Sequence, residues 1–173
     1  MLSKPIQDAL NEQIKREVFS AHSYLAMTAY FEHANFPGFA KWTRLQYEEE
    51  IAHGMRLFDF IHARRGRAAA YGIDPPADNF SSPLDVFEKA LQQELTVTEH
   101  INALYELAQK EKDYATQIEL QWFITEQIEE ERIFDEVIQT LKLAGDNRAA
   151  LLLLDRQLGA RKLDQAANAA EPA

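Results

Sequence analysis

Apolar residues recur at steps of three and four through four long stretches of the chain, and no stretch alternates as a strand would. The first runs from about Lys4 to Ala34 and stops at "NFPGF", 35–39, where Pro37-Gly38 reads as a turn pair. The second runs from about Ala40 to Arg65. A loop-like segment, "RGRAAAYGIDPPADNFSS", follows it. Ser82-Pro83 has the form of an N-cap with proline at the first helical position, and opens a third helix reaching about Lys110. A short "EKD" link leads to a fourth, which stops near Ala144-Gly145. A brief fifth helix spans about 148–158, within a domain of residues 1–160, and 161–173 reads as a frayed tail.

The loop at 66–81 is long for a compact domain and needs a purpose. Helices of about 26 residues are ~39 Å long, and about sixteen extended residues reach ~50 Å. The loop therefore spans the full length of its neighbours and returns the third helix parallel to the second. The short links make the other neighbours antiparallel. The predicted fold is all-α: a four-helix bundle with one long crossover, plus a short fifth helix.

The stripes that would face the seam carry an anomaly. Helix three presents Leu84, Phe87, Leu91, Glu94, Thr98, Ile101, Tyr105 and Ala108, with Glu94 as its only charge. Helix four presents Leu120, Phe123, Gln127, Glu130, Phe134, Val137 and Leu141. Helix one presents Leu10, Ile14, Glu17, Ala21, Tyr24, Thr28 and Phe31. Helix two is noisier, but Glu50, His53, Leu57 and Phe60 share one line. Each helix thus sends one acid inward near its middle, and no lysine or arginine lies on these stripes.

A buried unpaired charge costs several kcal/mol even after relaxation. Four would exceed the ~5–15 kcal/mol that stabilises a typical domain. Two divalent cations would balance four carboxylates, and protonation is the competing escape. Glu50 and His53, at i and i+3, reach one ion from the same helix face. Carboxylates with one imidazole suit iron, manganese or zinc better than copper, and tetrahedral zinc would not need four acids. A pair of oxygen-bridged ions points to redox work with dioxygen.

The net charge of −10 argues against nucleic acid and anionic membranes as partners. Cysteine is absent, which excludes disulfides and thiolate metal sites. The longest aliphatic run, "LLLL" at 151–154, is too short to span a bilayer. The start of the chain lacks the apolar core of a signal peptide, so the cytoplasm is the expected location.

Two glutamates on separate helices plus Glu-x-x-His is the pattern of ferritin-like di-iron proteins. With "NEQIKREVFSAHSYLAM" at 11–27, "YEEEIAHGMRLFDFI" at 47–61, "LQWFITEQIEEE" at 120–131 and "LAGDNRAALLLLDRQL" at 143–158, the chain resembles the bacterial non-haem ferritins over nearly all its length. The resemblance implies an iron-storage protein with a ferroxidase centre inside each subunit, acting on Fe²⁺ with dioxygen or peroxide. It assigns one iron to Glu17, Glu50 and His53, and a second to Glu94 and Glu130, with Glu50 bridging and Gln127 nearby. It assigns a third iron position to Glu49, Glu126 and Glu129, sharing Glu130, and an electron-donating role to Tyr24.

Bacterioferritin fits less well. It keeps Glu-x-x-His on helix four, where this chain has Gln127 and Glu130, and its haem-ligating methionine aligns with Ile51, so no haem is expected. The DNA-protecting mini-ferritins lack the fifth helix. That helix, "AALLLL", is apolar around most of its circumference. It either folds over the end of the bundle or is buried against copies of itself, and the resemblance implies a homo-oligomeric cage of twenty-four subunits. A di-iron oxidase that stores nothing and a metal-free helical scaffold remain the alternatives at this point, as does manganese in place of iron.

Overall fold

The computed structural model describes residues 2–162. It contains five helices: α1 (Lys4–His33), α2 (Pro37–Ala63), α3 (Pro83–Lys110), α4 (Tyr114–Ala144) and α5 (Arg148–Leu158). The expected tail at 161–173 lies outside the described residues except for Arg161 and Lys162. No described helix is long and apolar enough to cross a membrane.

Side-chain pairs establish the directions. Thr28 meets Thr43 and Phe31 meets Phe39, Tyr24 meets Glu94 and Phe31 meets Phe87, and Glu88 meets Lys142 while Ala108 meets Gln117. Gln46 reaches Glu130 while Arg64 reaches Asp113. Numbers rise on one partner as they fall on the other in each case, so α1–α2, α1–α3, α3–α4 and α2–α4 are antiparallel. Helices α2 and α3 are therefore parallel, and the irregular chain between them is the expected crossover. It is anchored at both ends. The buried amide of Asn11 donates to the Arg67 carbonyl and accepts from the Ala69 N–H, while Phe80 packs edge-on against Tyr30 and under the Lys89 ammonium.

The helix boundaries have local causes. Ser82 accepts from the Asp85 N–H and Asp113 from the Thr116 N–H, which caps α3 and α4. Gly145 ends α4 with φ +52, a backbone region that favours glycine. Helix α2 departs from expectation: it begins at Pro37 rather than near Ala40. Its first N–H groups gain an acceptor from far along the chain, since the Phe39 N–H donates to Asp155 Oδ1 at 2.8 Å. The proline then serves as a first-turn residue rather than a breaker.

The stripe residues assigned to α1 and α4 are all buried. On α3 the buried face is rotated: Val86, Ala90, Val97 and Leu104 are inside with Phe87, Glu94, Ile101 and Ala108, while Leu84, Leu91, Thr98 and Tyr105 are only half-buried. The interior divides into two apolar clusters. One is aromatic, with Tyr24, Phe31, Phe39, Trp42, Phe87 and Phe134. The other is mostly aliphatic, with Ile6, Leu10, Leu57, Ile61, Ile101 and Leu120. The inward acids lie between them along the helices.

Helix α5 docks on the start of α2. Leu154 and Asp155 are buried there, while Leu152 and Leu153 stay 51% and 69% exposed. This contact requires a glycine at position 38, because a Cβ there would lie 1.7 Å from the Asp155 carbonyl oxygen. Gly38→Ala is expected to push α5 off α2 and to cost about 2 kcal/mol or more. Thermal unfolding and limited proteolysis after Gly145 would report it, and wild-type behaviour in both would refute the docking described.

Candidate metal centre

Glu17, Glu50 and His53 converge: one ligating atom from each lies within 4.8 Å of the others. Glu17 comes from the middle of α1, and Glu50 and His53 come from adjacent turns of α2. All three are buried, as are Glu94 on α3 and Glu130 on α4. His53 Nδ1 is 3.7 Å from Glu50 Oε2. That oxygen is enclosed and has no hydrogen-bond partner among the described residues. A buried acceptor without a donor is costly unless a cation or proton reaches it.

Most contacts to the inner acids come from neutral donors. The Gln13 amide donates to Glu17 Oε1 at 2.8 Å. The Tyr24 hydroxyl donates to Glu94 Oε1. Gln127 Nε2 lies 3.3 Å from Glu94 Oε2 and 3.2 Å from the Glu94 carbonyl oxygen. The Gln46 amide donates to Glu130 Oε2 at 3.0 Å. These bonds orient the carboxyl groups without neutralising them.

The electrostatics follow from burial. Desolvation is the leading cause in each acid, because low-dielectric surroundings disfavour the charged form. It raises Glu94 to about 7, where Tyr24 and Gln127 partly offset it. It raises Glu130 to about 8, with Glu94 and Glu49 adding repulsion and Arg161 opposing. Glu50 is pushed furthest into the protonated form: after burial, Glu94, Glu17 and Glu130 all repel its charge. Its carboxyl bonds to that of Glu17, which burial also raises and this bond lowers. Burial, then Arg56, lowers His53 to about 4, so its imidazole is neutral near pH 7, the form that ligates metal. The donor set is oxygen with one imidazole nitrogen, suited to a first-row divalent ion.

Of the other residues expected near the centre, one lies against an inner acid and the rest are spread over α2 and α4. Gln127 faces Glu94 and Thr98. Glu49 is buried on the side of α2 that meets Arg161, which donates to both its oxygens at 2.9 and 3.1 Å. Glu126 is half-buried, and Glu129 is exposed and paired with Arg132 at 3.4 Å. The acids of the third position are thus not gathered as the first three ligands are. His22, His33 and His62 are exposed, and His100 lies at an edge. Met55 is exposed, away from any core position. The cationic neighbour Arg161 lies past the end of α5, where helical periodicity carries no signal. Trp122 was also missed: its ring meets the His53 ring edge-on at 5.3 Å and lies under the Arg56 guanidinium at 4.1 Å.

Comparison with known proteins identifies the family. A family model described as "Ferritin-like domain" matches residues 7–144. A bacterial non-heme ferritin of Staphylococcus aureus strain USA300 is 41% identical over 165 residues, covering 95% of this chain and 99% of the relative. That of Staphylococcus haemolyticus strain JCSC1435 is 42% identical over the same lengths. An open-pore ferritin from the hyperthermophilic archaeon Archaeoglobus fulgidus superposes with TM-score 0.92 at 41% identity, covering 94% of this chain and all of that one. A closed form of the same ferritin, engineered by site-directed mutagenesis, gives 0.93. The chain belongs to the ferritin-like family.

The raised acids dictate how stability depends on pH in metal-free protein. Glu50, Glu94 and Glu130 keep protons that the unfolded chain releases near 4.5, so their contribution is full below that value and is lost as pH rises through about 7 and about 8. His53 acts oppositely, and its contribution is complete above 6.5. Between pH 6.5 and 8 the thermal midpoint should fall by on the order of 5 °C or more. Saturating Zn²⁺ should flatten the profile, since the ion displaces the same protons. A metal-free midpoint that holds or rises across this window would contradict the assignment.

Proposed function

We propose that this chain is an iron-storage ferritin that oxidises Fe²⁺ at a two-iron centre within each bundle and retains Fe³⁺ as a mineral inside a homo-oligomeric shell. The observation that carries the reading is the buried convergence of Glu17, Glu50 and His53, with Glu94 and Glu130 close enough to raise the Glu50 pKa. Family membership supports the storage role. In this reading Glu17, Glu50 and His53 hold one Fe²⁺, and Glu94 and Glu130 hold the other. Glu50 bridges, because it is the acid that senses all three others.

Iron is the substrate, and the protein's part is charge and proton management. Fe²⁺ entering the layer displaces protons from the buried carboxyls and finds the His53 lone pair free. The carboxylates then favour the ferric state, since they stabilise the higher charge. Two Fe²⁺ release one electron each, and the pair reduces dioxygen to peroxide or peroxide to water. Tyr24, whose hydroxyl donates to Glu94, would give a third electron to the partly reduced oxygen, its proton passing to that carboxylate. Gln127 steadies Glu94. Glu49, Glu126, Glu129 and Glu130 form the third, weaker iron position. The exposed Leu152 and Leu153 on α5, and Ile118 and Ile128 on α4, suit burial between subunits of a twenty-four-subunit cage. The expected cytoplasmic location belongs to the same proposal.

Crystals soaked anaerobically in Fe²⁺ should show two anomalous peaks within ~4 Å of each other between Glu17 and Glu130, with a weaker third toward Glu126 and Glu129. Glu50→Ala should remove the pair and slow Fe²⁺ oxidation roughly 100-fold in stopped-flow absorbance. Unchanged oxidation in that variant would favour a metal-free scaffold. Normal oxidation without retained iron would favour an oxidase that stores nothing.

A further inference from the structure

The chain leaving α5 turns back along α2 toward the acid layer. Lys41 Nζ donates to the Gly159 carbonyl at 2.7 Å, and Gly159 lies against Gly38. Two residues later, the Arg161 guanidinium enters a fitted position. Nη2 donates to both oxygens of Glu49, at 2.9 and 3.1 Å, and Nη1 donates to the Gln46 side-chain carbonyl. Its plane lies 5.0 Å from the centre of the Trp42 ring. The Glu49 side chain is 6% exposed and that of Arg161 22%. Gln46 uses its other end to donate to Glu130 Oε2 at 3.0 Å.

A fixed positive charge thus sits one amide away from Glu130 and directly on Glu49. Guanidinium stays protonated at any ordinary pH, so its charge is removed only by moving the side chain. The span of the guanidinium, Nη2 on Glu49 and Nη1 on Gln46, together with the indole face, makes this a specific seat rather than a surface contact. Glu49 and Glu130 are the two buried acids of the position the family resemblance assigns to a third ion, whereas Glu126 is half-buried and Glu129 exposed.

We propose that Arg161 is a tethered counter-cation at that position: its guanidinium and a third metal ion compete for Glu49, so the ion binds only when Arg161 swings out. The proposal rests on the proposed reading of the centre as an inner metal pair with a third, weaker position beside it. Displacing Arg161 frees the Gln46 side-chain carbonyl, while the Gln46 amide N–H keeps its own bond to Glu130. In this chain the C-terminal segment sets how readily the third ion binds, and leaves the affinity of the inner pair nearly alone.

Zn²⁺, which is redox-inert, tests this by calorimetric titration of the assembled full-length protein. Wild type should bind two ions per subunit tightly and a third weakly. Arg161→Gln should tighten the third by about tenfold or more while the first two stay within about threefold. Arg161→Lys, keeping charge without the planar fork, should fall between. Adding Glu49→Gln to Arg161→Gln should abolish the tightened class, which identifies it. A third affinity unchanged or weakened in Arg161→Gln, with the pair intact, would show that Arg161 only clamps the chain end and would overturn the proposal alone. Loss of the tight pair in wild type would overturn the two-metal reading and this proposal together.

Discussion

Four carboxyl groups and an imidazole share one dry layer in the middle of the bundle, and the rest of the molecule is arranged around that constraint. Above and below the layer lie an aromatic and a largely aliphatic cluster, which exclude water from both sides. Without water the acids cannot ionise cheaply, and their raised pKa values record the cost. An apolar residue at each of these positions would make a more stable protein. The bundle therefore carries a standing preference for cations, and this preference is the physical basis of its function.

The polar groups around the layer sharpen this preference. Gln13, Gln46, Tyr24 and Gln127 are neutral, so they fix the orientation of Glu17, Glu130 and Glu94 without supplying positive charge. The Arg161 guanidinium stands outside the layer, on Glu49. Arg56 is held away from His53 by its own ion pair with Glu119 at 2.5 Å and by the Trp122 ring. Orientation without neutralisation leaves the charge balance to protons or to a bound cation.

The fifth helix connects this chemistry to the periphery. Asp155 caps α2 across a separation of 116 residues, and the Gly38–Asp155 contact brings the helix close enough to do so. The same docking aims the following residues at Gln46 and Glu49 on α2. Half of α5 is used in this way. Its remaining apolar face, with Leu152 and Leu153, stays exposed among the described residues.

Periodicity alone determined the helices, the crossover and the inward direction of Glu17, Glu50, Glu94 and Glu130, because a charge on an apolar stripe has only one side to face. It also determined that the predicted stripes of α1 and α4 are buried, although α1 buries Asn11, Gln13, Ser20, Ser23 and Met27 beside its stripe. It misjudged the rotation of α3, where apolar residues flank the stripe and contact with α1 and α4 chooses among them. It placed the start of α2 too late, because the acceptor for the first-turn Phe39 N–H belongs to Asp155, distant in sequence. The neutral donors on the acids, the Trp122–His53 contact and the seat of Arg161 were decided only in three dimensions. Each joins residues from different elements, and no local pattern records how far apart such elements lie or which side chains meet between them.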